Sequence, residues 1–217
     1  MLNRLESAPA FRVGDVATRV RNQRGEGERL RTALLDAAGE LLVESGDVEH
    51  LSVRAVTARA GVSPTALYLH FADKEDLTGA VKQRCVAALA DVLREAESEH
   101  EGDPVAQLRA MGVAYLRFAR EQPGQYAILF HTNVPKAGDR DGPEVARGIG
   151  DECFNLLVNA VLRWLGEGSN RDPFEVSCAL WLALHGRATI RSAMPEFPLP
   201  DEERYVELLE RAFSDSH

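Results

Sequence analysis

The tetrapeptide Gly61-Val62-Ser63-Pro64 puts a helix end and a helix start within four residues. Glycine can take the left-handed conformation that stops a helix. Serine caps the helix that follows, and proline at the first helical position gives up an N–H that would have no intrahelical partner. So tight a turn makes two short helices cross steeply. Ser52 stands as the cap of the first, with Ala55 three residues on where an acid would complete a capping box. Val53, Val56 and Ala60 then face inward. The second short helix is expected from Pro64 to about His70. Ala66, Leu67 and Phe71 can pack back, while Thr65, Tyr68 and Leu69 are free to face out. Ala58, Ala60 and Ala66 are small enough for the crossing. The segment reads as a helix-turn-helix, which can place one helix in a DNA groove.

Helical spacing extends on both sides of that turn. Leu30, Ala33, Leu34, Ala37, Ala38, Leu41 and Leu42 form one apolar stripe before it, ended by Ser45-Gly46-Asp47. After it, Asp73 can cap a long helix carrying Leu77, Val81, Val86, Leu89 and Leu93. That helix reaches from a small head into a larger body and is a mechanical link between them. Gly102-Asp103-Pro104, Pro123-Gly124, the loop 131–143 and the proline-rich stretch Met194 to Pro200 separate further helices. Residues 144–165 and 173–191 are long and largely apolar. Period-two alternation is absent, so the expected class is all-α with about nine helices. The expected organisation is a flexible arm over 1–25, a three-helix head over 26–76 and a helical body over 77–217.

The chain of 217 residues carries a formal charge of -9. Residues 1–80 hold ten basic and twelve acidic side chains, and the rest of the chain is more acidic. DNA binding needs local donors rather than a basic whole protein. The arm supplies Arg12, Arg19, Arg21 and Arg24. Cys85, Cys153 and Cys178 are far apart and form no C-x-x-C pair, which suits a reducing cytoplasm. No run of 18 apolar residues suggests a membrane span. No His, Cys, Asp or Glu set has metal-ligand spacing, and no cofactor or catalytic residue is expected.

In the head, the free N–H groups at the start of the second short helix suit a phosphate. Ser63, Thr65 and Tyr68 suit phosphates or base edges. Ala66 and Leu69 share this surface, with His70, Lys74 and Arg24 close by. The leading helix LRTALLDAAGELLVESG, the core SVRAVTARAGVSPTALYLHF and the following ADKEDL resemble the amino-terminal domain of the TetR (tetracycline-repressor) family. Ser52, Val53, Val56, Gly61, Val62, Ser63, Tyr68, His70, Phe71, Lys74 and Leu77 match that pattern in order. Ser52 stands where Thr is common. Leu69 replaces a residue that is often aromatic or polar, leaving a methyl-reading surface. The resemblance implies a homodimer on a near-palindromic operator of double-stranded DNA. It implies phosphate contacts from Ser52, Tyr68 and Lys74 and base contacts from Thr65. It also implies repression that is relieved when a small-molecule effector binds the body.

In the body, Trp181-Leu182-Ala183-Leu184-His185-Gly186 resembles the W-x-x-x-H-G signature of one carboxy-terminal TetR subfamily. Trp181 and His185 share a helix face. They suit either the wall of a ligand cavity or a helix crossing in the core or dimer seam. Phe118, Tyr126, Phe130, His131, Phe154 and Trp164 carry the same ambiguity. The candidate pocket is Phe118, Tyr126, Phe130, Phe154, Trp181 and His185, which suits an apolar or amphipathic ligand. Leu157, Val161, Leu180 and Leu184 are the candidate dimer seam. Two rival readings are a helical protein-interaction module and an enzyme using His185. The second lacks a nucleophile spaced to serve the imidazole.

Overall fold

The computed structural model describes residues 26–45, 50–130 and 142–214. Among these residues there are nine helices and no strand: α1 Glu26–Ser45, α2 Val53–Arg59, α3 Pro64–Leu67, α4 Lys74–Ser98, α5 Pro104–Glu121, α6 Pro123–Phe130, α7 Gly142–Leu165, α8 Pro173–Ala193 and α9 Glu202–Phe213. The all-α class and the helix order agree with the sequence. The arm with Arg12, Arg19, Arg21 and Arg24, the Gly46-Asp47 stop, and the loop that holds His131 lie outside the described residues. Helix α7 starts at Gly142 rather than at 144 and takes in Pro143. Proline is tolerated in a first turn, where an N–H would have no helical acceptor.

Capping chemistry sets the helix starts. Ser52 Oγ accepts from the Ala55 N–H at 3.1 Å, and Ser63 Oγ accepts from the Ala66 N–H at 3.3 Å. Gly61 lies at φ +70°, the left-handed region that a side chain rarely adopts. Asp73 caps α4 by accepting from the Asp76 N–H at 2.8 Å, and Asp76 reaches back to the Ala72 N–H at 2.9 Å. Asp103 and Asp172 cap α5 and α8 in the same manner. Ala58 faces solvent and takes no part in the α2–α3 crossing, unlike Ala60 and Ala66, which are half-buried.

One continuous core runs through head and body. Leu34, Val56, Leu67 and Phe71 lie in the head, Val81 and Leu89 on the connecting α4, and Met111, Val161 and Leu184 in the body. Helix α5 is central, packed against α4, α6, α7, α8 and α9. Ion pairs Arg94–Glu152 and Arg163–Glu97 join α4 to α7, and Arg109–Glu210 joins α5 to α9. The link after α8 is pinned by Arg187, which donates to the Pro200 carbonyl at 2.7 Å and lies over the Tyr205 ring. Helix α6 meets the head at one close joint. A Cβ placed on Gly124 would lie 2.6 Å from both Val43 methyls of α1.

Candidate nucleic-acid interface and internal cavity

Helix α3 spans only Pro64–Leu67, shorter than the sequence suggests. The chain then tightens into turns, with the His70 N–H donating to the Leu67 carbonyl at 2.9 Å. This geometry buries Leu67 and Phe71 and turns the remaining side chains outward. Tyr68 is 56% exposed and Leu69 76%. Two bulky apolar side chains so open to water leave this face available for contact. Ser52, Ser63 and Thr65 are exposed beside them. Both serine oxygens accept from the backbone, so each hydroxyl proton is left to donate outward. Pro64 has no N–H and the Ala66 N–H is spent on Ser63. The helix end therefore offers few free backbone donors, and the polar groups open to solvent are mainly side chains. Ala66 is half-buried at the crossing. His70 is half-buried, with its Cε1 3.7 Å from the Cβ position of Gly27 on α1, so it packs rather than projects. Lys74 opens α4, half-exposed. Arg24 lies outside the described residues.

The body holds a cavity of about 470 Å³. Helix α4 contributes Lys82, Val86, Leu89 and Leu93 to its wall, and α5 contributes Leu108, Arg109, Met111, Gly112 and Tyr115. Leu129 and Phe130 come from α6. Cys153, Phe154 and Leu157 come from α7. The α8 wall is Phe174, Cys178, Leu180, Trp181 and Leu184, and Val206, Leu209 and Glu210 close it from α9. The size is typical of a small-molecule site.

Of the sequence-derived pocket residues, Phe130, Phe154 and Trp181 border this space. Phe118 is buried in the core elsewhere. Tyr126 and His185 sit behind the wall in a polar cluster. Tyr126 Oη and His185 Nδ1 share a hydrogen bond at 2.7 Å, and Tyr115 Oη is 3.1 Å from Tyr126 Oη. His185 stacks on Trp181 with ring centroids 5.7 Å apart, while Phe130 meets it edge-on at 4.7 Å. Burial raises the Tyr126 phenol to about 12 and pushes Tyr115 higher still. Neither ionises near neutral pH. Among the described residues no atom lies within 4 Å of the Cβ position of Gly186, so it does not mediate a close approach to any of the described helices.

The dimer-seam candidates move inward. Val161 is fully buried, Leu180 and Leu184 nearly so, and Leu157 lines the cavity along with Leu180 and Leu184. All four are apolar because they face the protomer's own interior. Among the described residues, the exposed large apolar side chains on the same two helices are Leu162 (55%), Phe174, Leu182 (61%) and Ile190. Lys82, Tyr115 and the Arg109–Glu210 pair were also missed. One signal for Lys82 was present: it precedes Val86, Leu89 and Leu93 at helical spacing, a cation in an apolar stripe. Among the described residues no group of three His, Cys, Asp or Glu side chains could hold a metal ion. No helix among them is long and apolar enough to cross a membrane.

A helix-turn-helix with an exposed face, joined by one core to a helical body, is the architecture of a DNA-binding transcriptional regulator. Known proteins agree. Residues 34–81 match the family described as bacterial regulatory proteins, tetR family, and residues 108–214 match the tetracyclin repressor-like C-terminal domain. The chain belongs to the TetR family, whose members regulate transcription rather than catalyse reactions. It is 29% identical over 153 residues to the uncharacterized HTH-type transcriptional regulator YobS of Bacillus subtilis, covering 70% of this chain and 74% of that one. A protein of unknown function from Rhodococcus sp. RHA1 superposes with a TM-score of 0.71 at 25% identity, covering 88% of this chain and 97% of that one. A TetR family transcription regulator from Marinobacter aquaeolei VT8 shares the fold, with a TM-score of 0.67 at 21% identity and coverage of 88% and 98%.

Proposed function

We propose that the chain is a homodimeric repressor that leaves a palindromic operator when a small, largely apolar molecule fills the body cavity. The observation that carries this reading is the path of α6. Leu129 and Phe130 at its end border the cavity, and Gly124 near its start abuts Val43 of the head. A ligand that pushes on Phe130 therefore pushes on α1 through one short helix. Helix α4 offers a second route, with Lys82 and Val86 on the cavity and Leu77 and Val81 in the shared core. The ligand can shift the balance only by its difference in affinity for the two arrangements.

On the operator, Tyr68, Lys74, Ser52 and Ser63 hold phosphates, while Thr65 and Leu69 approach base edges. Two heads reach successive major grooves about 34–36 Å apart. The dimer seam forms over Leu162, Leu182 and Ile190, and the open space at Gly186, midway between Leu182 and Ile190, lets a partner helix come close. The Trp181-x-x-x-His185-Gly186 subfamily assignment belongs to this proposal, as do the division into arm, head through residue 76 and body, and a cytoplasmic location.

Operator fragments selected from random DNA, followed by gel-shift titration with candidate apolar molecules, test the reading. Sequence-specific binding that falls as a ligand saturates the body supports it. Binding that is specific yet indifferent to a ligand bound in the cavity overturns the switch, and absence of specific DNA binding overturns the whole.

A further inference from the structure

The cavity wall carries an imbalance of charge. Arg109 and Glu210 are bonded to each other at 2.6 Å and cancel. Lys82 remains. It sits four residues before Val86 and seven before Leu89, so the α4 face that lines the cavity begins with an ammonium. Its side chain is half-buried, and loss of solvation pulls its pKa below the ordinary lysine value, with no carboxylate acting in the other direction. Among the described residues Lys82 has no ion-pair partner. An unpaired, half-buried cation at the border of an apolar cavity costs folding free energy, and an opposite charge delivered by a ligand would offset that cost. The rest of the wall is chiefly leucine and phenylalanine, which gives a polar ligand few other partners.

We infer that the cavity takes an anionic amphiphile, its apolar body among Leu89, Met111, Phe154 and Trp181 and its single anionic head group paired with the Lys82 ammonium. This rests on the cavity being the effector site, as proposed above. The head group is a carboxylate, sulfonate or phosphate ester. A cationic amphiphile of the same size is excluded by repulsion from Lys82, and a neutral one gains only the apolar contacts.

Two dyes that differ by one sulfonate test this. They are 8-anilinonaphthalene-1-sulfonate and the neutral N-phenyl-1-naphthylamine. Of the two tryptophans, Trp181 borders the cavity and Trp164 does not. In a Trp164→Phe background, energy transfer from Trp181 follows dye bound to the body, and loss of that signal in the cavity-filling Leu89→Phe variant separates dye in the cavity from dye on an outer apolar patch. The sulfonate is expected to bind about tenfold more tightly than the neutral dye, the size of one charge-assisted contact. Lys82→Met should bring the two affinities together without weakening the neutral dye, and Lys82→Arg should keep the preference. Equal affinities in the parent chain, or a preference that survives Lys82→Met, overturn the inference while leaving the proposed switch standing. If neither dye draws energy from Trp181 in protein that still binds DNA, the cavity is not a ligand site, and the effector reading falls with this one.

Discussion

Tyr68 projects from a helix-turn-helix with its ring half in water and its hydroxyl available. Removing that hydroxyl alone, as Tyr68→Phe, should weaken DNA binding by about fivefold, one hydrogen bond's worth. The loss should be similar for operator and unrelated DNA, because a phosphate contact carries no sequence information. Fluorescence anisotropy on both duplexes measures this, and a loss confined to the operator would make Tyr68 a base reader instead. Cys153 presents the opposite situation. Burial first, then the adjacent Glu152 carboxylate, pushes its thiol up to about 11. Only the thiolate reacts. Iodoacetamide at pH 8.5 should therefore label Cys153 far more slowly in the folded chain than after denaturation, as peptide mass spectrometry would show. At this scale the sequence was legible in part. It separated Thr65, Tyr68 and Leu69 from Leu67 and Phe71, because a four-residue helix fixed by Ser63 and Pro64 has only one way to bury its apolar side. The packing of His70 beside Gly27 of α1 is not legible in the sequence, because the two are remote along the chain.

Helix α6 shows what element boundaries hide. The sequence marks Pro123-Gly124 as a separator between helices, but the helix starts at Pro123 and takes Gly124 inside it. That glycine reads as a breaker from local chemistry alone. Its actual role depends on Val43, eighty-one positions earlier, which no periodicity can reveal. Gly124→Ala should force α1 and α6 apart by some tenths of an ångström. Overpacking of this kind costs about 1–3 kcal/mol. The expected outcome is a lower melting temperature together with weaker operator binding. Val43→Ala in the same chain should restore both, since it removes the methyls the new Cβ would meet and Val43 itself is half exposed. Calorimetry with a gel shift on the single and double variants checks the pairing. Rescue of stability without rescue of DNA binding would separate the joint from the head's orientation.

For the molecule as a whole, apolar periodicity identified α7 and α8 as long helices with buried stripes but could not say what buried them. Val161, Leu180 and Leu184 were assigned to a partner subunit, yet they face their own protomer. The same spacing argument serves an internal core and an intermolecular seam, and only the cavity and the packing of α5 decide between them. In the proposed dimer, exposed Leu162, Leu182 and Ile190 are the residues left for the partner. Leu182→Glu places a carboxylate in that seam and touches no core contact. It should convert the dimer to monomer by sedimentation velocity, leave the melting of the monomer fold nearly unchanged, and weaken operator binding by more than tenfold through loss of the second half-site. A dimer that survives the change would put the seam on another face. The Gly124–Val43 joint also bears on recombination among relatives. A chimera that grafts a different DNA-binding head onto this body inherits a new side chain opposite Gly124. Grafts that bring a small or flexible residue to position 43 should remain inducible, while bulky rigid ones would lock the hybrid in one posture, so the compatible exchange unit is the head plus its matched partner on α6 rather than the head alone.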